Sequence, residues 1–199
     1  ENAIKRVLLV QAEAHPVGRW SLSIVGIGPV IAAGLLAHID IARAPTVGHI
    51  WRYAGLDPTS VWQKNTERPW NARLKVLTYH AGESFVRTQN LEGAFYGPLY
   101  RIRKEYEVAK NERGENADAA ALALTRKLGK DTEAYKAYAA GILPPAHVHA
   151  RARRWTVKLF LAHWHQVMYE TTYGSLPPLP YVLERVPGHT HKIEVPNWP

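Results

Sequence analysis

The chain contains no cysteine. A disulfide framework, a thiolate zinc site and a thiol nucleophile are therefore excluded, and a reducing compartment is mildly favoured. Long apolar runs are missing too. The longest stretch, Ile24 to Ile39, is shorter than a bilayer span and is interrupted by Gly26, Gly28 and Pro29. Val7-Leu8-Leu9-Val10 is too brief for a secretory leader, so no membrane partner is expected. No fixed-period repeat and no series of alternating strands is visible. Acidic residues are the minority, with 17 Asp plus Glu against 25 Lys plus Arg, a formal charge of +8. That surplus points to an anionic partner, of which nucleic acid is the commonest. The 199 residues suffice for one generous domain or two small ones. The first residue is Glu1 rather than Met, which is compatible with further residues upstream.

What is present reads as helix. Ile4, Val7, Leu8 and Gln11 fall at helical spacing within Glu1 to His15, and Pro16 is expected to end that helix. Trp20 to Val25 reads as a short second turn, and Pro29 opens an apolar helix running to His38. Thr46 starts another, closed by Gly55 and Pro58. Asn71 to Arg87 is strongly amphipathic, with Leu74, Leu77, Ala81 and Phe85 on one face. A charged helix is expected within Leu99 to Asn111, Ala-rich ones over Asn116 to Leu128 and Asp131 to Ala140, and a long one over His147 to Glu170. Beyond Gly174, Pro177, Pro178, Pro180, Pro187, Pro196 and Pro199 predict an extended tail that crosses the helical body through Tyr181, Val182, Leu183 and Trp198. The reading is an all-α fold in three stretches: residues 1–95, a helical extension over 96–174, and the Pro-rich tail 175–199.

The most informative segment is Leu22 to Ile39. A short helix enters, Gly26-Ile27-Gly28 turns, and Pro29 begins a second helix rich in small residues, Ala32, Ala33 and Gly34 among them. The glycines permit positive φ and clear the way for a phosphate to reach backbone N–H groups at the start of the second helix, where its dipole assists. This is the pattern of a helix-hairpin-helix, which grips the DNA backbone without reading sequence. The rival dinucleotide fingerprint fails, because Ile31 stands where Gly or Ala is required and no βαβ unit follows. Packing of small residues in a tight turn is the other alternative. The expected backbone-binding set is Gly26, Ile27, Gly28 and Val30, with Arg19, Arg43 and Arg52 as basic partners.

Leu22 to Ile39, followed by Thr46-Val47-Gly48-His49-Ile50-Trp51-Arg52-Tyr53-Ala54-Gly55-Leu56-Asp57-Pro58, resembles the C-terminal domain of the insertion-sequence transposases now called bridge recombinases. Asn71-Ala72-Arg73-Leu74-Lys75 continues the likeness, which covers about residues 18 to 88. The resemblance implies a duplex-DNA-binding helical module linked to transposition or recombination, located with DNA in the cytoplasm. It also admits a guide RNA as a second partner and leaves self-association open. That family carries an upstream RuvC-like domain with four acidic residues, and nothing in this chain reads as one. It also carries a catalytic Ser-Gly pair after the Gly-Leu-x-Pro element; here the stretch is Thr59-Ser60-Val61-Trp62-Gln63-Lys64-Asn65, without that pair. The alternatives are therefore a binding module, a fragment or subunit of a recombinase that needs a separate nuclease domain, and a structural helical protein.

Other constellations carry less. Arg151, Arg153, Arg154 and Lys158 form a second candidate phosphate surface, or else an ordinary solvated face. Arg101, Arg103 and Lys104 precede Glu105 and Glu107 at spacings that suggest intrahelical pairing. On a helix residues two apart face opposite ways, so His163 and His165 cannot share an ion; in extended chain His189/His191 and His147/His149 could, but a zinc site needs three or four convergent ligands. No metal or cofactor is expected. Trp51, Trp70, Trp155 and Trp164 read as core. His80, Glu83 and Ser84 are neighbours on one helix without the oriented third group that a triad needs, so no catalytic residue is assigned.

Overall fold

A computed structural model describes residues 1–179 and 192–198. The expectations placed on Tyr181, Val182, Leu183 and the pair His189/His191 lie outside these residues. Among the described residues the fold is all helical. The helices are α1 (Asn2–Glu13), α2 (Pro16–Ser23), α3 (Pro29–His38), α4 (Val47–Tyr53), α5 (Ala72–Arg87), α6 (Tyr96–Glu112), α7 (Ala117–Leu124), α8 (Glu133–Ala139) and α9 (Pro145–Tyr173), with a single 3₁₀ turn at Ile41–Arg43.

Local chemistry sets most of the boundaries. Pro16 begins α2 rather than merely ending α1, because a proline at the first helical position loses no hydrogen bond. The N–H of Val17 is taken up by the His15 ring, 3.2 Å away. Gly18 then lets α2 fold back tightly on α1, since a Cβ there would lie 2.0 Å from the carbonyl oxygen of Ala12. Asn71 caps α5 by accepting from the N–H of Leu74 at 2.9 Å. Pro145 opens α9, and Gly174, in the left-handed region at φ 67°, closes it.

The long helix α9 is the spine, packing against α2, α4, α5 and α6. Its apolar face presents Val157, Phe160, Leu161, Trp164, Val167 and Met168 to a core that also holds Val17, Trp20, Leu35, Ile50, Leu74, Phe85 and Tyr96. The sequence has only three phenylalanines, and all of them meet in one place. Phe160 lies 6.0 Å from Trp20 and 5.3 Å from both Phe85 and Tyr96, and Phe95 lies 5.1 Å from Tyr96, between ring centroids. Edge-on and tilted ring pairs of this kind add about 0.5–1.5 kcal/mol each beyond the area they bury. Trp164 is fully buried as expected, whereas Trp51, Trp70 and Trp155 are only half-buried. A smaller cluster of Ala120, Leu143 and Val148 joins α7 to the start of α9.

One ionic joint ties α6 to α9. Glu107, 1% exposed, accepts from Arg103 at 2.6 Å and from Arg151 at 2.8 Å. The intrahelical pairing expected for the charged helix is thus realised at Arg103–Glu107, and a second arginine joins from α9. Burial pushes the Glu107 carboxyl up, but the Arg151 hydrogen bond and the two guanidinium charges outweigh it and hold the group below its ordinary value.

Neither described part of the tail forms a helix, and residues 192–198 lie against the body. Trp20 Nε1 donates to the Pro196 carbonyl at 2.7 Å, Asn197 Nδ2 to the Ser23 carbonyl at 3.2 Å, and Trp198 Nε1 to Glu170 Oε2 at 2.9 Å. Val195 and Trp198 pack on the main core.

Candidate nucleic-acid interface

The hairpin between α2 and α3 is built as a fixed turn. The N–H of Ile27 donates to the Ile24 carbonyl at 2.9 Å, and the Ile27 side chain is buried. Gly26 takes φ +98°, which only glycine adopts without strain. Its carbonyl oxygen accepts from Ser84 Oγ of α5 at 2.6 Å. A Cβ on Gly26 would lie 2.9 Å from Thr88 Oγ1 and 3.2 Å from Ser84 Oγ. Gly28 is different: at φ −100° and ψ 178° it is extended, and it serves as the N-cap of α3. Its carbonyl accepts from the N–H groups of Ile31 and Ala32, both at 3.0 Å.

Two sequence-based assignments change accordingly. The positive φ belongs to Gly26, not Gly28, because Gly26 makes the reversal while Gly28 already lies on the path into the helix. Ile27 has no amide to offer a ligand, because the turn itself uses its N–H. Gly26, Gly28 and Val30 keep theirs: among the described residues none accepts from these three N–H groups. Nothing stands within 4 Å of where a Gly28 Cβ would be, and Val30 is exposed. The start of α3 therefore offers two amides without a protein acceptor among the described residues, Gly28 and Val30, at the positive end of a helix dipole. Pro29 between them has no N–H and loses nothing by it.

A Cβ on Gly34 would lie 2.7 Å from Leu77 Cδ2, so Gly34 lets α5 rather than α2 approach α3. The serine that sequence reasoning set aside as a failed catalytic group, Ser84, is the clamp between α5 and the turn. No local pattern could have revealed that bond, since its partners are 58 residues apart.

The three arginines assigned to the hairpin are spread over three elements. Arg19 is exposed and donates to the Glu13 carbonyl at 2.7 Å, capping α1. Arg43 follows the far end of α3, a ten-residue helix about 15 Å long from its Gly28 end. Arg52, in the last turn of α4, lies near Asp57. The second basic group is partly neutralised. Arg151 is bound to Glu107, and Arg153 to Glu83. Lys158 lies with Nζ 4.2 Å from the Trp51 ring centroid, and burial holds its ammonium below its ordinary value. Among the described residues, Arg154 alone of the four has neither a carboxylate partner nor a ring beneath it, and it is exposed.

The histidines of α9 each have a partner elsewhere. Tyr138 meets His147 at 3.1 Å and Tyr100 meets His149 at 2.7 Å. Both histidines are helical, so the extended arrangement in which they could share an ion is not formed. His165 Nε2 donates to the Ala44 carbonyl at 2.8 Å. His163 Nε2 donates to the Ile193 carbonyl at 2.9 Å, which leaves its Nδ1 to accept from the Tyr96 hydroxyl at 2.8 Å. Burial lowers the His163 pKa to about 4, so the ring is neutral at pH 7. Among the described residues no three His, Asp or Glu converge as a metal site would require. Among the described residues no helix is long and apolar enough to cross a membrane.

The element that follows the hairpin is bolted at its far end. Asn71 donates its backbone N–H to the Tyr53 carbonyl and its side-chain amide to the Tyr53 hydroxyl, both at 2.9 Å. Gly55, at φ +66°, ends α4, and a Cβ there would lie 3.0 Å from Trp70 Cγ. The Tyr-Ala-Gly-Leu run and the start of α5 thus form one joint, in which glycine makes room for an indole.

Residues 21–96 match the model of the Transposase IS116/IS110/IS902 family. The matched stretch begins in α2, contains the hairpin, α3, α4 and α5, and ends at Tyr96 in the aromatic core. It supports a transposase domain of this type over those residues. No curated protein and no solved structure matches the chain.

Proposed function

We propose that the chain is a transposase-related DNA-binding module that holds the duplex backbone at the start of α3, in the service of DNA transposition or recombination. The observation that carries this reading is the pair of unpartnered amides at Gly28 and Val30. They sit on a turn clamped by Ser84, with open space at Gly28, inside the stretch that matches the transposase family. A phosphate oxygen there would accept both N–H groups and meet the helix dipole. The contact is to backbone, so it carries no sequence preference. The chain's surplus of Lys and Arg supplies the longer-range attraction.

Gly28→Val is the direct test. The extended conformation of Gly28 suits valine, and nothing lies within 4 Å of the added Cβ, so the fold is expected to persist. The added methyls cover the approach to the amides. The parent should bind duplex DNA with a log–log salt slope of about −0.9 per phosphate neutralised. Gly28→Val should lose more affinity than Arg19→Ala, Arg43→Ala or Arg52→Ala, each of which removes one screened charge. A folded Gly28→Val protein that binds duplex like the parent would remove the hairpin from the interface.

A further inference from the structure

The loop between α4 and α5 carries a feature that the hairpin does not use. Trp62, Arg68 and Trp70 of this loop, with Lys75, Val76 and Tyr79 of α5, line a cleft of about 440 Å³. That volume lies within the range of sites that hold small organic groups, roughly 300–1,000 Å³. Its rings are open to solvent rather than folded into the core: Trp62 is 45% and Tyr79 50% exposed.

The rings are nevertheless held in place. Trp62 Nε1 donates to the Thr66 carbonyl at 2.8 Å, and Trp70 rests against Gly55. A cation lies over each ring: Arg68 is 5.3 Å from the Trp62 centroid, Lys75 is 4.1 Å from Trp70, and Arg153 is 4.2 Å from Tyr79. The nearby carboxylates are mostly occupied. Glu83 is bound to Arg153, and Asp57 accepts from the Thr59 backbone N–H and hydroxyl. Glu67 is exposed. Among the described residues neither Arg68 nor Lys75 has a carboxylate within ion-pair distance.

Fixed, exposed aromatic faces beside unpaired cations fit a ligand that is flat and apolar at one point and anionic a few ångströms away. Unpaired nucleotides have that chemistry, because their bases stack on rings while their phosphates meet cations. A duplex does not, because its base faces are already stacked. An acidic peptide would satisfy Arg68 and Lys75 but leave the indoles without a partner.

We propose that this cleft binds an unpaired stretch of DNA, stacking a base on Trp62 and setting the adjacent phosphates on Arg68 and Lys75. Apart from the Tyr79 hydroxyl, no side chain lining the cleft offers an oxygen to a ribose 2′-OH, so nothing in it demands RNA. The site is separate from the α3 amides and stands whether or not these grip a duplex.

The test compares labelled oligo-dT, oligo-U and a duplex of equal length by fluorescence anisotropy, on the full chain at low salt. The parent binds oligo-dT. Trp62→Ala weakens that binding roughly 5- to 150-fold, the range for loss of one stacked base, and leaves duplex affinity unchanged. Trp62→Phe, which keeps a ring, retains most of it. Lys75→Gln, at an exposed position of α5 outside the core, reduces the salt slope for oligo-dT by about 0.7. Thermal unfolding shows each variant folded. Failure of the parent to bind oligo-dT overturns the proposal, as does a folded Trp62→Ala protein that binds it unchanged. Equal losses for duplex and oligo-dT overturn the stacking role. Binding of oligo-U about tenfold tighter than oligo-dT overturns the assignment to DNA. Gly28→Val, run alongside, should affect the duplex alone, so that failure of the hairpin and failure of the cleft are told apart.

Discussion

Acid should weaken the fold through His163 by a calculable amount. The ring is 3% exposed and neutral, with Nε2–H on the Ile193 carbonyl and Nδ1 accepting from Tyr96. Burial is the main cause of its depressed pKa; Lys192 lowers it a little further, and the Ile193 hydrogen bond and Glu194 oppose. The unfolded chain takes up the proton near pH 6.5, but the folded chain resists until about pH 4. Between those values the unfolded state binds more protons, so stability falls as pH falls and levels off below the lower value. At 1.36 kcal/mol per pKa unit the loss comes to about 3 kcal/mol, a large part of the roughly 5–15 kcal/mol that holds a domain together. Urea unfolding followed from about pH 7.5 to about pH 4 measures it, with His163→Gln as the reference. Glutamine keeps a donor and an acceptor at the site but does not titrate. His147, His165 and the carboxylates are common to both proteins and cancel in the difference. The parent should lose about 3 kcal/mol more than the variant across that window. Parallel pH profiles would refute burial of the ring behind the tail.

Two further perturbations follow from the turn and the ionic joint. Gly26→Ala should cost about 1–3 kcal/mol in thermal unfolding, because a Cβ at positive φ is driven toward Thr88 Oγ1. Gly28→Ala, at an open extended position, should cost less than about 1 kcal/mol, and equal costs would show that the two glycines do not differ. Glu107→Gln should lower stability by about 3–5 kcal/mol in urea, because Arg103 and Arg151 lose their common counter-charge. A loss under about 1 kcal/mol would mean that solvent reaches the joint.

Periodicity made the long elements legible. Leu74, Ala81 and Phe85 marked the buried face of α5, and the long helix expected over His147 to Glu170 falls within a few residues of the bounds of α9. Punctuation was read less well where one residue type has two uses. Pro16 looks like the end of α1, yet a proline both stops one helix and starts the next. Of the two glycines in Gly-x-Gly, sequence could not say which reverses the chain, since the answer depends on where Ser84 and Thr88 stand in another helix. The histidine pairs could be dismissed as chelators on a helix, but not assigned to Tyr100, Tyr138, Ala44 and Ile193, which come from distant elements. The cleft around Trp62 left no periodic mark at all. It is assembled from an irregular loop laid across the first turns of α5, and its three rings gain significance only from the cations above them.

The strap formed by residues 192–198 sets a timetable for synthesis. Trp20 reaches its acceptor on Pro196 across 176 residues, and Ser23 waits 174 for Asn197. A ribosome adding about 5–20 residues per second needs roughly 9 to 35 seconds to cover that distance. For most of that interval α2 has been made but Phe160, which stacks on Trp20, has not, and the carbonyl that receives its indole N–H comes later still. The hairpin at its end therefore emerges from the ribosome long before the contacts that fasten α2. Nascent chains paused before residue 160 should expose Trp20 to quenchers that cannot reach it in the finished protein.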